Sequence, residues 1–411
     1  MNTNVLQFAM TTKNVIILSD AAFINGGAVK VAIQSAIGLS KQGLNVIFLC
    51  AEGPECDELK NSSVKIVCLN QKNILTEENR IKAFGQGIWN RKSYRILDDL
   101  LKSFSSTDTV VHSHVLIKAL SPSLWAVLSK YQFKVFITLH DYFLFCPNGG
   151  MYNYCKQCIC KLRGSTLKCY LTNCDSRSYL HKIWRDIRQI VQKRYLRKIS
   201  NLNVISISSL NRDIAYPYLN NHTKSWFMLH NPVEFDKLSS VNIAQNDCYL
   251  FVGRLSPEKG IDMFCEAISN LGLKGLVLGD GELKQEYEKK YPHIKFVGWV
   301  SGKEKDEYIR RGKALVFPSR WYEGAPLTIL EMKSYGIPCI VPDRCAASEE
   351  IEDGKTGFVF KTGDLESLVN CISKYEKSNI LALQKNLVEN FSPSEYSLDN
   401  HCRRLIEIYN G

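Results

Sequence analysis

Two glutamates, Glu323 and Glu331, bracket the run Gly324-Ala325-Pro326-Leu327-Thr328, a spacing that chemistry can use. Pro326 suits the first turn of a helix, where a missing N–H costs nothing. The free amides of Leu327 and Thr328 would then point at any anion set before them, such as a diphosphate. Glu331, a turn further on, is placed to accept hydrogen bonds from ribose hydroxyls. Glu323, ahead of the turn, would meet whatever the diphosphate carries. Upstream, Arg254 and Lys259 offer a forked cation and a point charge, the two kinds that steady a diphosphate as negative charge builds on it. Each residue also has an ordinary reading. Acidic residues before and within a helix are common, and a lysine at a helix start is usually solvated.

The first half offers a second set. Asn25-Gly26-Gly27-Ala28 follows an apolar run and opens a helical pattern, and a glycine pair there lets backbone amides approach a phosphate or sugar. It is not the G-x-G-x-x-G of an ordinary NAD site. His112-Ser113-His114 and Thr138-Leu139-His140-Asp141-Tyr142 each close an apolar run, at the edge where open parallel sheets bind ligands. An isolated histidine is more often structural than catalytic, so His140 draws its interest from that position.

These residues need elements to hold them. Apolar runs rich in Val, Ile and Phe at residues 14–18, 45–50, 64–69, 109–112, 134–139 and 203–207 read as buried strands. Helical patterns such as 28–42 separate them. After the polar stretch 234–247 the rhythm restarts, with strands at 248–252, 275–278, 295–297, 314–317, 338–341 and 358–360. Helices are predicted there at 259–270, 283–290, 303–311, 327–336 and 365–375. This is the βαβ alternation of a parallel sheet, met twice. It predicts one Rossmann-like domain over 1–235, a linker at 236–247, a second over 248–392, and a final helix within 393–411.

Bulk properties narrow the partners. Lys and Arg outnumber Asp and Glu by 52 to 41 in 411 residues, a formal charge of +11, which favours a nucleotide, a lipid diphosphate, an anionic membrane surface or a nucleic acid. The last lacks support, since no helix-turn-helix, finger or aromatic platform is legible. Residues 1–12 are polar and no apolar run approaches the roughly 18 residues a spanning helix needs. The expectation is a cytoplasmic protein, peripheral on the inner face of the membrane.

Between 146 and 174 the alternation breaks. Cys146, Cys155, Cys158, Cys160, Cys169 and Cys174 crowd this insertion, and Cys155, Cys158, Cys160, Cys169 and Cys174 would suit a structural zinc. The spacing matches no standard finger, and free thiols or disulfides stay open. A basic helix follows. Leu180, Ile183, Ile187 and Ile190 form an apolar stripe on it, with Arg185, Arg188 and Arg194 among the cations on the remainder. The pattern predicts that the stripe packs on the sheet, leaving a basic face for solvent or for anionic lipid.

The run Glu323–Glu331 resembles the paired-glutamate signature of the family-4 glycosyltransferases, enzymes of the GT-B fold. Val252-Gly-Arg-Leu-Ser-Pro-Glu-Lys-Gly-Ile-Asp262 is similar to a second signature, and Gly279-Asp280-Gly281-Glu282-Leu283 with Phe296-Val297-Gly298 to a third. Their order and spacing agree across the second half. The first half resembles the family more loosely, through Gly26, Gly27, the histidines and a Cys-Pro run found in a subset of its members. The resemblance implies an α/β GT-B fold, two Rossmann-like parallel-sheet domains facing a central cleft, with the last helix crossing back to the first. It implies a retaining transfer from a UDP- or GDP-sugar to a saccharide or lipid-linked saccharide in surface-polysaccharide or lipopolysaccharide synthesis, with no cofactor. Arg254 and Lys259 would neutralise the leaving diphosphate, with Gly26, Gly27 and the run Gly324, Ala325, Pro326, Leu327 and Thr328 also on the donor. Glu323 would contact the sugar, Glu331 the ribose, and His140 would lie beside the anomeric centre. No Asp-x-Asp pair, the metal bridge of the other common glycosyltransferase fold, occurs, so metal-independent transfer is expected. No second carboxylate nucleophile is evident, which favours same-face displacement. The alternatives are an epimerase or phosphorylase on the same fold and a catalytically silent sugar-binding protein.

Overall fold

The computed structural model describes residues 11–114, 116, 118–235 and 240–411. The N-terminal residues 1–10 and linker residues 236–239 lie outside these. The first half builds a seven-stranded parallel sheet from β1 (Asn14–Ala21), β2 (Asn45–Glu52), β3 (Lys65–Cys68), β4 (Thr109–Ser113), β5 (Lys134–Leu139), β6 (Leu202–Ser206) and β7 (Ser225–Met228). Their order is β3-β2-β1-β4-β5-β6-β7. Helices cover both faces, so the strands are almost continuously apolar, and Val15 through Leu18 are fully buried. The second half repeats the plan with β8 (Cys248–Val252), β9 (Lys274–Leu278), β10 (Lys295–Gly298), β11 (Gly312–Val316), β12 (Cys339–Pro342) and β13 (Gly357–Phe360). Its order is β10-β9-β8-β11-β12-β13, again parallel throughout.

Three local features differ from the sequence reading. Strand β7 and the helix Ile380–Asn390 were not legible, the first being a short edge strand with half-buried residues. The helix expected from residue 259 begins instead at Ile261, after a 3-10 turn at Pro257–Lys259. Gly260 makes that break: its φ is +72°, and a Cβ there would collide with the Pro318 carbonyl oxygen.

Five helices matter for function: α1 (Gly27–Lys41), α2 (Arg80–Ile88), α3 (Tyr179–Leu196), α4 (Leu327–Ser334) and α5 (Leu398–Asn410). Helix α5 follows the second domain yet packs on the first. Cys402, Leu405, Ile408 and Tyr409 join the core formed by β1, β2 and α1. Gly38 leaves room on α1 for the Cys402 sulfur. Ser35 Oγ lies 3.1 Å from His401 Nε2, and His401 Nδ1 lies 2.9 Å from the His230 carbonyl oxygen.

Helix α3 reverses the predicted packing. Lys182, Asp186, Arg188, Gln189 and Gln192 are buried, while Leu180 is 77% and Ile190 55% exposed. The reason is the backbone beneath it. Arg188 Nε donates to the Gly87 carbonyl at 3.0 Å and its guanidinium also reaches the Leu116 carbonyl. Gln192 Nε2 donates to the Phe143 carbonyl at 2.8 Å. Lys182 Nζ donates to the Cys169 carbonyl at 3.1 Å and to both Asp186 oxygens at 2.8 Å. Carbonyls at helix ends and in loops need donors, and the polar face supplies them. Among the described residues no helix is long and apolar enough to cross a membrane.

The packing of α5 gives a test. Tyr409 is fully buried and its hydroxyl lies 2.6 Å from His112 Nδ1. Tyr409→Ala should lower stability by about 3–5 kcal/mol, read as a drop in the urea unfolding midpoint.

Candidate functional site

Both sheets reverse their strand order beside the first strand, β1 lying between β2 and β4 and β8 between β9 and β11. At such a switch point the loops leave in opposite directions and open a crevice at the carboxyl edge. In the second half the loop after β8 carries Gly253-Arg254-Leu255 and that after β9 carries Gly279-Asp280-Gly281. The two are joined by hydrogen bonds from Gly253 N to Leu278 O at 3.0 Å and from Leu255 N to Asp280 O at 2.9 Å. Gly279, at φ +146°, permits this, since a Cβ there would collide with the Gly253 carbonyl oxygen. The stacked loops bring exposed Arg254 to a cleft of about 1170 Å³ that Asp280, Lys305, Thr328 and Glu331 also line.

Helix α4 starts at this cleft. Pro326 occupies its cap position, one residue before the first turn in which the sequence placed it, and no side chain caps the amides behind it. Gly324, Ala325, Pro326 and Leu327 line a narrower crevice shared with His230 and Asn231 of the first half. Two ion pairs flank the helix start. Lys259 Nζ meets the Glu323 carboxylate, to which Ser319 Oγ also donates at 3.2 Å, and Lys259 lies 5.2 Å from the centre of the Trp321 ring. Lys305 Nζ holds both oxygens of Glu331 at 2.6 and 2.7 Å. Lys305 was not singled out in the sequence, where it is one lysine among many on an amphipathic helix.

In the first half, Gly26 caps α1 and Gly27 opens it, both exposed. A Cβ at either would meet nothing within 4 Å, so the protein's own packing does not require glycine there. At the ends of β4 and β5 three histidines are linked. His140 Nε2 lies 3.0 Å from His114 Nδ1, with their rings stacked at 5.2 Å. His112 lies 2.8 Å from Thr138 Oγ1 through Nε2 and meets Tyr409 of α5 through Nδ1. Burial pushes the His112 and His140 imidazoles down to about 3, and His114 well below its ordinary value. His140 is therefore held neutral, and its contact with His114 is one of hydrogen bonding between uncharged rings. Burial also raises the neighbouring Asp141 carboxyl to about 6, against the amide of Phe143, which donates to it at 2.9 Å.

The halves meet across this crevice. Glu349 accepts from the amides of Ser209 and Leu210 at 2.9 and 2.6 Å, a carboxylate at the positive end of the helix Ser209–Leu219. The insertion 146–174 reaches the same interface, with Gly150 against Trp321. Here the Tyr142 hydroxyl, both amide atoms of Asn211 and the Trp321 indole N–H are buried with hydrogen-bonding capacity unfilled. Asn211 lies against Gly324 and beside the Tyr142 hydroxyl, which burial raises above its ordinary range. Buried polar groups are rarely left so, and a hydroxyl-rich ligand would complete them. Asn211 gave no signal in the sequence. Arg254, Thr328 and Glu331 thus share one cleft, and Glu323 with Lys259 borders the interface. His140 lines a separate small cavity with His114, Asp141 and Arg188.

The cysteines are dispersed. All are free thiols, Cys155 and Cys158 exposed, Cys160 half-buried, and Cys146, Cys169 and Cys174 buried. Among the described residues no group of three or more His, Cys, Asp or Glu could hold a metal ion, so the zinc set is not assembled. The short hairpin Tyr152–Asn153 and Cys158–Ile159 turns Cys155 and Cys158 outward, away from the buried members. Burial raises the Cys146 and Cys174 thiols to about 11 and about 12, which keeps them protonated and unreactive.

Comparison with known proteins agrees with this geometry. Residues 235–392, the half with the cleft, match the family model described as Glycosyl transferases group 1. The UDP-Gal:alpha-D-GlcNAc-diphosphoundecaprenol alpha-1,3-galactosyltransferase of Escherichia coli is 25% identical over 179 residues, 39% of this chain and 44% of the relative. The amylovoran biosynthesis glycosyltransferase AmsD of Erwinia amylovora is 32% identical over 132 residues, 30% of this chain and 37% of the relative. The chain spans less than half the length of these curated relatives. The Anabaena protein Alr3699/HepE, solved with UDP, has a TM-score of 0.63 at 14% identity, covering 96% of this chain and 99% of that one. The architecture is the GT-B fold.

The buried histidines set a pH response. Unfolded, each takes up a proton near 6.5, whereas in the fold His112 and His140 do so only near 3 and His401 near 4. The unfolded chain therefore binds more protons below 6.5, and stability falls as pH drops from there towards 4. Asp141 contributes with the opposite sign between its ordinary 3.8 and about 6, but the histidines outnumber it. Thermal melting temperature should decline across pH 6.5 to 4, and less steeply in His401→Gln.

Proposed function

We propose that the protein is a retaining, metal-independent glycosyltransferase that moves a sugar from a UDP- or GDP-sugar to a saccharide or lipid-linked saccharide acceptor in surface-polysaccharide synthesis. One observation carries this reading. The start of α4, flanked by the Lys259–Glu323 and Lys305–Glu331 pairs, opens on the cleft of the half that matches the glycosyltransferase model. The UDP held by the Anabaena neighbour supports a uridine donor. The diphosphoundecaprenol acceptor named for the Escherichia coli relative supports a lipid-linked acceptor.

The chemistry follows from charge. Breaking the bond between the anomeric carbon and the diphosphate leaves negative charge on the phosphate oxygens. Arg254, Lys259 and the amides of Leu327 and Thr328 would stabilise it, each as a fixed group that need not reorganise. Glu331 would accept from the ribose hydroxyls and Glu323 from those of the sugar. The acceptor oxygen would bond to the anomeric carbon on the face the diphosphate leaves, its proton passing to a departing phosphate oxygen. Neutral His140 would orient that acceptor, and closure would bring the Gly26 and Gly27 amides against the donor.

Thermal shift with a panel of UDP- and GDP-sugars should show a rise in melting temperature with one of them, and NMR of the product should show the donor's anomeric configuration. Arg254→Ala or Lys259→Ala should lower kcat roughly 10²–10³-fold. His140→Ala should lower turnover with donor binding retained. An inverted product, or activity lost in EDTA and restored by Mn²⁺, would overturn the corresponding part of the proposal.

A further inference from the structure

The inverted helix α3 leaves an apolar surface that none of the described residues covers. Leu180, Ile183, Ile187 and Ile190 follow a helical period along its outer side, and exposed Arg194 and Arg197 continue the same line. Helix α2 lies alongside, with Phe84 and Trp184 ring centres 6.2 Å apart, and adds Ile81, 86% exposed, and Phe84. The short helix Leu167–Leu171 adds Leu167, 72% exposed, and Leu171. Contiguous apolar surface of this kind marks an interaction site. Rolling α3 to bury the stripe would strip donors from the Gly87, Leu116 and Phe143 carbonyls, which keeps the stripe on the outer side.

Charge selects the cover. Arg80, Lys168, Arg177, Arg194 and Arg197, all exposed, belong to the same three helices and their borders. A second copy seated face to face would set these cations against their own kind. An anionic bilayer meets both features, apolar side chains entering the acyl boundary and cations meeting phosphate headgroups. We infer that α2, α3 and the Leu167–Leu171 helix form one ledge that docks the protein on an anionic lipid bilayer, lying on it without spanning it. The contact is apolar at its centre and basic at its rim, the reverse of a basic-face contact through Arg185 and Arg188. Arg185 is held by Asp175 at 3.0 Å, and Arg188 is buried.

The test needs no sugar nucleotide, so its outcome is separate from that of the proposed reaction. The full chain should co-sediment with vesicles of equal parts phosphatidylcholine and phosphatidylglycerol, and far less with phosphatidylcholine alone. Ile183→Glu with Ile187→Glu should cut that partitioning roughly tenfold or more while leaving the melting temperature unchanged. Leu180→Ser with Ile190→Ser, which adds no charge, should also reduce it. Unchanged partitioning in both double variants would overturn the ledge. So would absence of wild-type binding at low salt, or a wild-type dimer in sedimentation that the same substitutions dissociate.

Discussion

A parallel sheet cannot reverse its strand order without parting the loops at its carboxyl edge, and this chain does so twice. Gly26 and Gly27 follow β1, His114 follows β4 and His140 follows β5. Arg254 and Lys259 follow β8, Gly279 follows β9 and Glu323 follows β11. Every residue with a proposed part in the reaction, save those on α4 itself, leaves a strand at this edge. The site is a consequence of topology, and the side chains exploit an opening that backbone geometry makes unavoidable.

What fills the opening is a set of compensated charges. Lys305 is paired with Glu331 in the cleft and Lys259 with Glu323 at its border, so each cation is held in place by a carboxylate. The first-half wall is built on neutral imidazoles by contrast. Its histidines are kept uncharged by burial and are tied through His112 to Tyr409 on the last helix. A segment that begins beyond the second domain thus supports the wall of the first. Any hinge between the halves must leave α5 with the first, and Glu349 at the start of the Ser209–Leu219 helix is a contact between the two halves.

Helix α3 follows from the same accounting of polar groups. The last turn of α2 and two loops of the first domain leave carbonyls at Gly87, Leu116 and Phe143 that take donors from α3. Satisfying them demands buried donors, and the helix meets that demand by turning its polar face inward. The displaced apolar stripe becomes surface. One energetic requirement inside the domain thereby sets what its outer face presents.

The sequence by itself determined both parallel sheets, since uninterrupted Val, Ile and Phe runs bury on both faces in no other common arrangement. It also made the Glu323–Glu331 run and the Gly279–Leu283 turn legible, since glycine and proline punctuate strand ends and helix starts, although the contacts of Gly260 with Pro318 and of Gly279 with Gly253 belong to the tertiary structure. Only the tertiary structure decided which face of α3 lies inside, because hydrophobic periodicity cannot register carbonyls 49, 72 and 101 residues away. The same holds for Lys305, Asn211 and the dispersal of the cysteines. Their roles arise from elements distant in sequence brought side by side, and no local pattern encodes that distance.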